Sequence, residues 1–176
     1  MWARIETIRT AMARVTRLFW ALLRVIVMML AAGAGVSIFV MVAVTSVDVV
    51  MRAFGASLHG SYDIVRMAGA ITIACALPYT TAVKGHVAIE YFFHKLNAAG
   101  RLIIDTLCRL LTIGMFGMLA WQSVLFGHSL RRTGSVSLTL QIPLYWVAYV
   151  IAASCLVTMF VTLYNLLHPG REMIKP

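Results

Sequence analysis

The chain has 176 residues, of which 61% are hydrophobic and only 12% are charged. A soluble globular domain carries roughly 25% charged residues, so this composition excludes an ordinary soluble enzyme and predicts a protein whose solvent is lipid. The formal net charge of +9 would suggest nucleic acid in a soluble protein. Here the basic residues flank long apolar runs, so we expect contacts with membrane lipids and no nucleic-acid partner.

The first segment, residues 1–24, is basic and amphipathic. Its apolar side chains recur at spacings of three and four residues, and its arginines occupy another face. The apolar set is Ile5, Ile8, Met12, Val15, Phe19 and Leu22, and the basic set is Arg9, Arg14, Arg17 and Arg24. This pattern predicts an amphipathic helix on the cytoplasmic leaflet, with its arginines among anionic headgroups. A heptad seam for a partner coiled coil is the alternative.

Four uncharged apolar runs follow, and each predicts a transmembrane helix. The run from Val25 to Val47 would extend roughly 34 Å as a helix, enough to cross a hydrocarbon core of ~30 Å. The predicted spans cover about residues 25–51, 62–84, 102–126 and 143–167. The predicted fold class is therefore an all-α integral membrane protein with a four-helix membrane domain at 25–167.

Residues at the ends of the spans suggest where helices begin. Ser61 is a candidate N-cap for the second span. Pro143 is expected at the first position of the fourth span, where its missing N–H costs nothing. Trp146 follows it and belongs to an aromatic belt at the membrane interface.

The link between the second and third spans predicts a second interfacial helix at about residues 86–97. Its apolar residues Ile89, Phe92, Phe93 and Leu96 fall on one helical face. His86 and Glu90 have the i,i+4 spacing that allows a side-chain contact.

The distribution of basic residues predicts the orientation. Most of them lie in the N-terminal segment, in the middle link and in the tail, residues 168–176. Only Arg52, Arg131 and Arg132 lie near the other two links. By the positive-inside rule, we expect both termini and the middle link in the cytoplasm and the other two links outside.

Charged residues concentrate where the first span ends and the second begins. Asp48 and Arg52 have i,i+4 spacing, and Asp63 and Arg66 have i,i+3 spacing. The short turn between the spans would bring the two pairs together. We interpret them as an internal salt-bridge network that braces two helices. The alternative is a polar contact with a partner protein at the outer surface.

No residue pattern indicates a catalytic, metal or cofactor site. Cys75, Cys108 and Cys155 lie singly in three different apolar runs, as packing residues do. The histidines lie in links or at span ends, whereas a haem in a bundle takes histidines from facing helices. No charge lies at the predicted midplane, where ion paths usually have one. We expect a non-enzymatic protein that needs a partner, rather than a haem-bearing or disulfide-generating redox protein or a stand-alone small exporter.

Several short motifs, taken in order, resemble the small membrane subunit of tripartite ATP-independent periplasmic (TRAP) transporters, the DctQ-like subunits. The resemblance covers about residues 25–167. The motifs are Asp48-Val-Val-Met-Arg52, Asp63-Ile-Val-Arg66, Gly85-His86 followed by Glu90, and Gly134 with Ser137 before Leu140-Gln-Ile142-Pro143-Leu-Tyr-Trp146. Two positions depart from the family pattern: Asp63 stands where Glu is commoner, and Gln141 where Gly is commoner.

The resemblance implies a non-catalytic small permease subunit in the bacterial cytoplasmic (inner) membrane. In such systems a large transmembrane subunit moves substrate by an elevator-like motion driven by a sodium gradient. A soluble periplasmic substrate-binding protein captures an organic acid and docks on both membrane subunits. The small subunit resembles a scaffold for the fixed part of the large one, and we expect residues 128–137, with Arg131 and Arg132, to help dock the binding protein.

Overall fold

The computed structural model describes the backbone of residues 2–83 and 98–167, and within them the side chains of 18–83, 100 and 103–167. Each of its helices contains a stretch that is long and apolar enough to cross a membrane. They are α1 (Trp2–Ala53), α2 (Ser61–Ala82), α3 (Ala98–Thr133) and α4 (Tyr145–Leu167). The prediction of an all-α fold with four membrane-spanning helices is confirmed.

Helix ends differ from the predicted spans at three places. The helix α1 runs without interruption from Trp2 to Ala53, so residue 24 is not a helix boundary. The helix α3 continues past residue 126 to Thr133, which places Arg131 and Arg132 in its last turn rather than in a link. No proline or left-handed glycine interrupts either segment, and helical hydrogen bonding therefore continues.

The start of α4 also differs from the prediction. The helix begins at Tyr145, and Pro143 lies before it, in an isolated antiparallel bridge with Val136. The Ser137 N–H donates to the Ile142 carbonyl at 2.9 Å beside this bridge. Proline has no N–H to donate, but its neighbours close the bridge, so Pro143 belongs to the link and not to the first helical turn.

Two predicted segments fall where the structure gives no description. The second interfacial helix at 86–97, with His86 and Glu90, and the tail at 168–176 lie outside the described residues. The flat placement of residues 1–24 and the cytoplasmic position of the termini stay predictions.

The helices form an open row in the order α1, α2, α4, α3. The helix α4 packs extensively against both α2 and α3, and α2 packs against α1. Only 11% of the most apolar window of α1 or α3 is buried within the protein, compared with 33% for α2 and 44% for α4. The central helices are therefore α2 and α4, and the edge helices α1 and α3 present most of their apolar surface outward.

The two ends of the row are built differently. Links 54–60 and 134–144 lie together at one end, which we call the short-link end. At the opposite end, α1, α2 and α4 share an apolar cluster of Leu23, Val27, Ala82 and Val161. The rings of Trp20 and Tyr164 pack beside it with centroids 4.8 Å apart. This cluster joins α1 to α4 where the rest of the two helices diverge.

Glycines in the left-handed region end two of the helices. Gly55 has a φ of 79°, and the Ala56 N–H donates to the Met51 carbonyl at 3.0 Å. Gly134 has a φ of 62°, and the Ser135 N–H donates to the Leu130 carbonyl at 3.1 Å. Both are Schellman-type endings, which satisfy carbonyls that a helix end leaves free.

The start of α2 corrects the expected N-cap. Gly60, with a φ of 86°, occupies the N-cap position, and it supplies no side-chain cap. Ser61 is instead the first residue of the helix. The chain turns at Gly60 in the left-handed conformation. A residue with a β-carbon would adopt this conformation only at a cost in conformational energy.

Gln141 is the only non-glycine residue with a positive φ, 53°, among the residues described. The left-handed conformation costs an L-residue roughly 1–2 kcal/mol. We therefore expect Gln141→Gly to raise the free energy of unfolding by about 0.5–1 kcal/mol, after the extra flexibility of glycine in the unfolded chain is subtracted.

Thermal and denaturant unfolding in detergent would measure this difference. Gln122→Gly is the matched control, because Gln122 is an exposed residue inside α3. Glycine there should lower stability by about 1 kcal/mol. Equal destabilisation by both variants would contradict a strained Gln141.

Candidate functional site

The Asp48 carboxylate joins the end of α1 to link 54–60. Its Oδ2 accepts a hydrogen bond from Arg52 Nε at 2.9 Å, so the ion pair expected from the spacing forms within α1. Its Oδ1 accepts the backbone N–H of Leu58 at 3.0 Å. The Asp48 side chain is 12% exposed and that of Arg52 is 64% exposed. The buried contact of Asp48 is therefore the one with the link, and the exposed Arg52 guanidinium shields the carboxylate from solvent or lipid headgroups.

The Asp63 carboxylate holds the other link at the short-link end. Its Oδ2 accepts the backbone N–H groups of Thr139 at 2.8 Å and of Leu140 at 3.1 Å. Asp63 is only 3% exposed. A carboxylate that receives two converging N–H donors is a strong acceptor, and it fixes link 134–144 over the start of α2.

The expected ion pair between Asp63 and Arg66 is not formed in the structure. The two backbone donors occupy the Asp63 carboxylate, and the Arg66 side chain is exposed and lines a cavity instead. The two charged pairs therefore do not make one salt-bridge network. What ties the links to the helices is hydrogen bonding from backbone N–H groups to carboxylates, and we call Asp48 and Asp63 with these partners the carboxylate clamp.

Close packing at Gly60 reinforces the clamp. A β-carbon added at Gly60 would lie 2.5 Å from Cγ of Leu140, far inside van der Waals contact. Link 134–144 is also closed on itself, because the Ile142 N–H donates to the buried Ser137 hydroxyl at 3.3 Å. Sequence analysis did not predict these contacts, and a glycine immediately before a helix, as at Gly60, is the local signal for a turn there.

His86 and Glu90 lie outside the described residues, and the other predicted site residues lie around the clamp at the same end. Arg131 and Arg132 are exposed in the last turn of α3. Leu138, at the tip of link 134–144, is 89% exposed. Pro143 is exposed in that link, and Trp146 is partly exposed in the first turn of α4. These groups form a mixed basic and apolar surface that the clamp holds in place.

A cavity of about 290 Å³ lies below this surface and is lined by residues of α2, α3 and α4 and of link 134–144. Arg66 and Ser123 are its polar lining residues. The apolar lining residues are Met67, Ala70, Phe126, Leu130, Leu144, Val147, Ala148 and Ile151.

A buried polar face on α4 was missed by sequence analysis. Ser154, Thr158, Thr162 and Asn165 are each at least nine-tenths buried and recur at spacings of four, four and three residues. Thr158 and Thr162 donate to the carbonyls one turn earlier, both at 2.9 Å. The periodicity of small polar residues in an apolar run is the signal that would have found this face.

Asn165 connects three helices at the opposite end. Its Nδ2 donates to the Thr81 backbone carbonyl of α2 at 3.1 Å, and the Asn165 backbone carbonyl accepts a hydrogen bond from Arg109 of α3. Arg109 also pairs with Asp105 at 2.8 Å. Polar contacts therefore tie α2, α3 and α4 together away from the short-link end.

Among the side chains that the structure describes, at residues 18–83, 100 and 103–167, no three His, Cys, Asp or Glu cluster closely enough to hold a metal ion. The three cysteines carry free thiols. The contacts at the carboxylate clamp and along α4 hold the helices and links in position.

Four helices, each long and apolar enough to cross a membrane, define a multi-pass integral membrane protein. The model of the family described as tripartite ATP-independent periplasmic transporters, DctQ component, matches residues 41–171. The match spans most of the chain, and the chain therefore belongs to this family: it is a small permease component of a TRAP transporter. Such a transporter also comprises a large membrane subunit and a periplasmic binding protein. No curated protein and no solved structure matches the chain.

Removing the Asp63 carboxylate should release link 134–144. We expect Asp63→Ala to lower the free energy of unfolding by about 2–4 kcal/mol, because two N–H groups lose a charged acceptor. Asp63→Asn keeps one acceptor oxygen and should cost about half as much. Thermal unfolding in detergent checks both values. Tyr62→Phe, at the exposed neighbouring position, is the control and should change little; a stable Asp63→Ala protein would contradict the clamp.

Asp48 and Arg52 should contribute unequally to the free energy of unfolding. Arg52→Ala should cost less than about 1 kcal/mol, because exposed ion pairs contribute little. Asp48→Ala should cost about 1.5–3 kcal/mol, because the Leu58 N–H also loses its acceptor. Comparing the two variants by denaturant unfolding tests this order. Equal losses would mean that the ion pair, rather than the link contact, is what stabilises this end.

Proposed function

We propose that this chain is a non-catalytic scaffold that holds the fixed part of a large elevator-type transport subunit during sodium-gradient-driven uptake of an organic acid. The open row of helices is the observation that carries the proposal. Both edge helices are long and apolar, and little of their surface is used inside the protein. On α1, for example, Val36 is 64% exposed and Phe39 is 74% exposed.

These outward faces provide the surface that a scaffold needs. A closed bundle would bury its apolar side chains internally, whereas a row presents two edges that lipid or another membrane protein must cover. The carboxylate clamp holds the links at one end, and at the other end the Asn165 contacts join α2, α3 and α4 while the apolar cluster of Leu23 and Val27 adds α1. We propose that the large subunit packs against this rigid row, with lipid filling part of the contact.

The position of charge supports a passive role in transport. In the described part of the chain, the charged residues of the membrane-spanning segments lie toward the ends of those segments. At the short-link end these are Asp48, Arg52, Asp63, Arg66, Arg131 and Arg132, and at the opposite end they are Arg24, Asp105 and Arg109. Ion-coupled transporters place ionisable or unwound groups near the midplane. The ion and substrate route is therefore proposed to lie in the large subunit.

The orientation follows from the positive-inside rule. We propose that both termini face the cytoplasm of a bacterial cell and that the short-link end faces the periplasm, in the cytoplasmic (inner) membrane. Residues 1–24 and 86–97 would then lie at the inner leaflet as amphipathic helices. This orientation places the surface around Arg131, Arg132 and Leu138 where a periplasmic binding protein can reach it.

Reconstitution tests whether this chain transports substrate by itself or only supports the large subunit. Proteoliposomes that contain only this chain should accumulate no organic acid when a sodium gradient is applied. Proteoliposomes with this chain, the large subunit and the binding protein should accumulate it, and leaving this chain out should abolish or strongly reduce the uptake. Accumulation by the chain alone would overturn the proposal.

Docking of the binding protein makes a separate prediction. Arg131→Glu combined with Arg132→Glu should reduce uptake roughly five- to ten-fold, because reversed charge at an interface slows association. Membrane insertion and co-purification with the large subunit should be unchanged.

Arg131→Lys combined with Arg132→Lys keeps the charge and serves as the control, with uptake near that of the unaltered protein. Unchanged uptake after charge reversal would show that these arginines contact lipid headgroups instead, which is the alternative partner for exposed basic residues at this depth.

A further inference from the structure

The cavity near the short-link end is a groove between two helices that are held apart. The helix α4 packs against both α2 and α3, so it separates them and forms the floor of the gap. The groove measures about 290 Å³. Small side chains at Ala70 of α2 and Ala148 of α4 leave this space open. Because α2 and α3 are membrane-spanning helices, the groove lies along the lipid.

The chemistry of the groove combines an apolar interior with one cation. Phe126 and Ile151 are among its apolar lining residues. Arg66 lines the same groove, and its side chain is exposed. Among the residues whose side chains are described, Arg66 forms no ion pair or hydrogen bond. Arg66 lies about 7.5 Å along α2 from its first residue, at ~1.5 Å per residue, so its long side chain can reach the headgroup region at that end of the helix.

An unpaired cation near the end of a membrane-spanning helix, beside an apolar groove, complements a particular class of ligand. Basic pockets between membrane helices bind the headgroups of anionic lipids. One turn of an α-helix with its side chains, about 10 Å across and 5.4 Å high, occupies roughly 400 Å³, which is more than the groove holds, whereas part of an acyl chain fits. We propose that the groove binds one anionic phospholipid, with an acyl chain between α2 and α3 and the phosphate at the Arg66 guanidinium.

Native mass spectrometry of the delipidated full chain in detergent tests this proposal. The probes are palmitoyl-oleoyl phosphatidylglycerol, which is anionic, and palmitoyl-oleoyl phosphatidylcholine, which is zwitterionic. We expect one phosphatidylglycerol per chain to bind more tightly than phosphatidylcholine. Arg66→Gln should weaken phosphatidylglycerol binding about five-fold and remove most of the preference, whereas Arg66→Lys should keep it.

Two further variants separate the groove from the charge. Ala70→Phe fills the groove and should weaken the binding of both lipids, and Ala70→Leu, a smaller change, should weaken it in the same direction if the phenylalanine variant does not fold. Arg52→Gln removes another cation at the same end, but one already paired with Asp48. Its lipid binding should match that of the unaltered protein.

Several results would overturn the proposal. Equal binding of the two lipids to the unaltered chain would show no headgroup recognition. Unchanged phosphatidylglycerol binding in Arg66→Gln, or in both Ala70 variants, would place the lipid elsewhere. Loss of the bound lipid when the large subunit is present would mean that a side chain of that subunit occupies the groove. None of these measurements depends on transport, so they are independent of the proposed scaffold role.

Discussion

Capture of backbone N–H groups by two carboxylates is the interaction on which the short-link end depends. Links at a membrane surface have few water molecules on their lipid side, and each buried N–H needs a partner. Asp48 supplies one acceptor to link 54–60, and a single oxygen of Asp63 serves two N–H groups of link 134–144. Because Asp63 belongs to α2 and the second link joins α3 to α4, this contact connects elements that are distant in sequence.

The open row explains how so small a chain can have both a rigid interior and a large outer surface. The central helix α4 carries buried hydroxyl groups that hydrogen-bond within their own helix, at Thr158 and Thr162. Small polar side chains of this kind let helices approach closely without leaving a polar group unsatisfied. The edge helices α1 and α3 keep apolar side chains directed outward. This division suits a subunit of a larger membrane assembly better than a self-sufficient bundle.

The same arrangement relates the scaffold role to the proposed lipid site. Since α4 holds α2 and α3 apart, the row necessarily contains a groove on one face. A bound phospholipid there would complete the packing of α2 against α3 and would neutralise Arg66. The clamp and the lipid would then stabilise the same end of the row, the end from which Arg131 and Arg132 project.

The lengths of the hydrophobic runs predicted an all-α membrane protein with four spans. Short local motifs indicated the family. Helix length and the Schellman endings at Gly55 and Gly134 are local properties. The extension of α3 to Thr133 was not predicted, because a short polar segment after an apolar run carries no strong signal for helical or extended structure. Tertiary structure alone decided the partner of Asp63. The nearest candidate in sequence was Arg66, three residues away, but the folded chain brings the N–H groups of Thr139 and Leu140 to the carboxylate, and no local pattern encodes a contact across 76 residues.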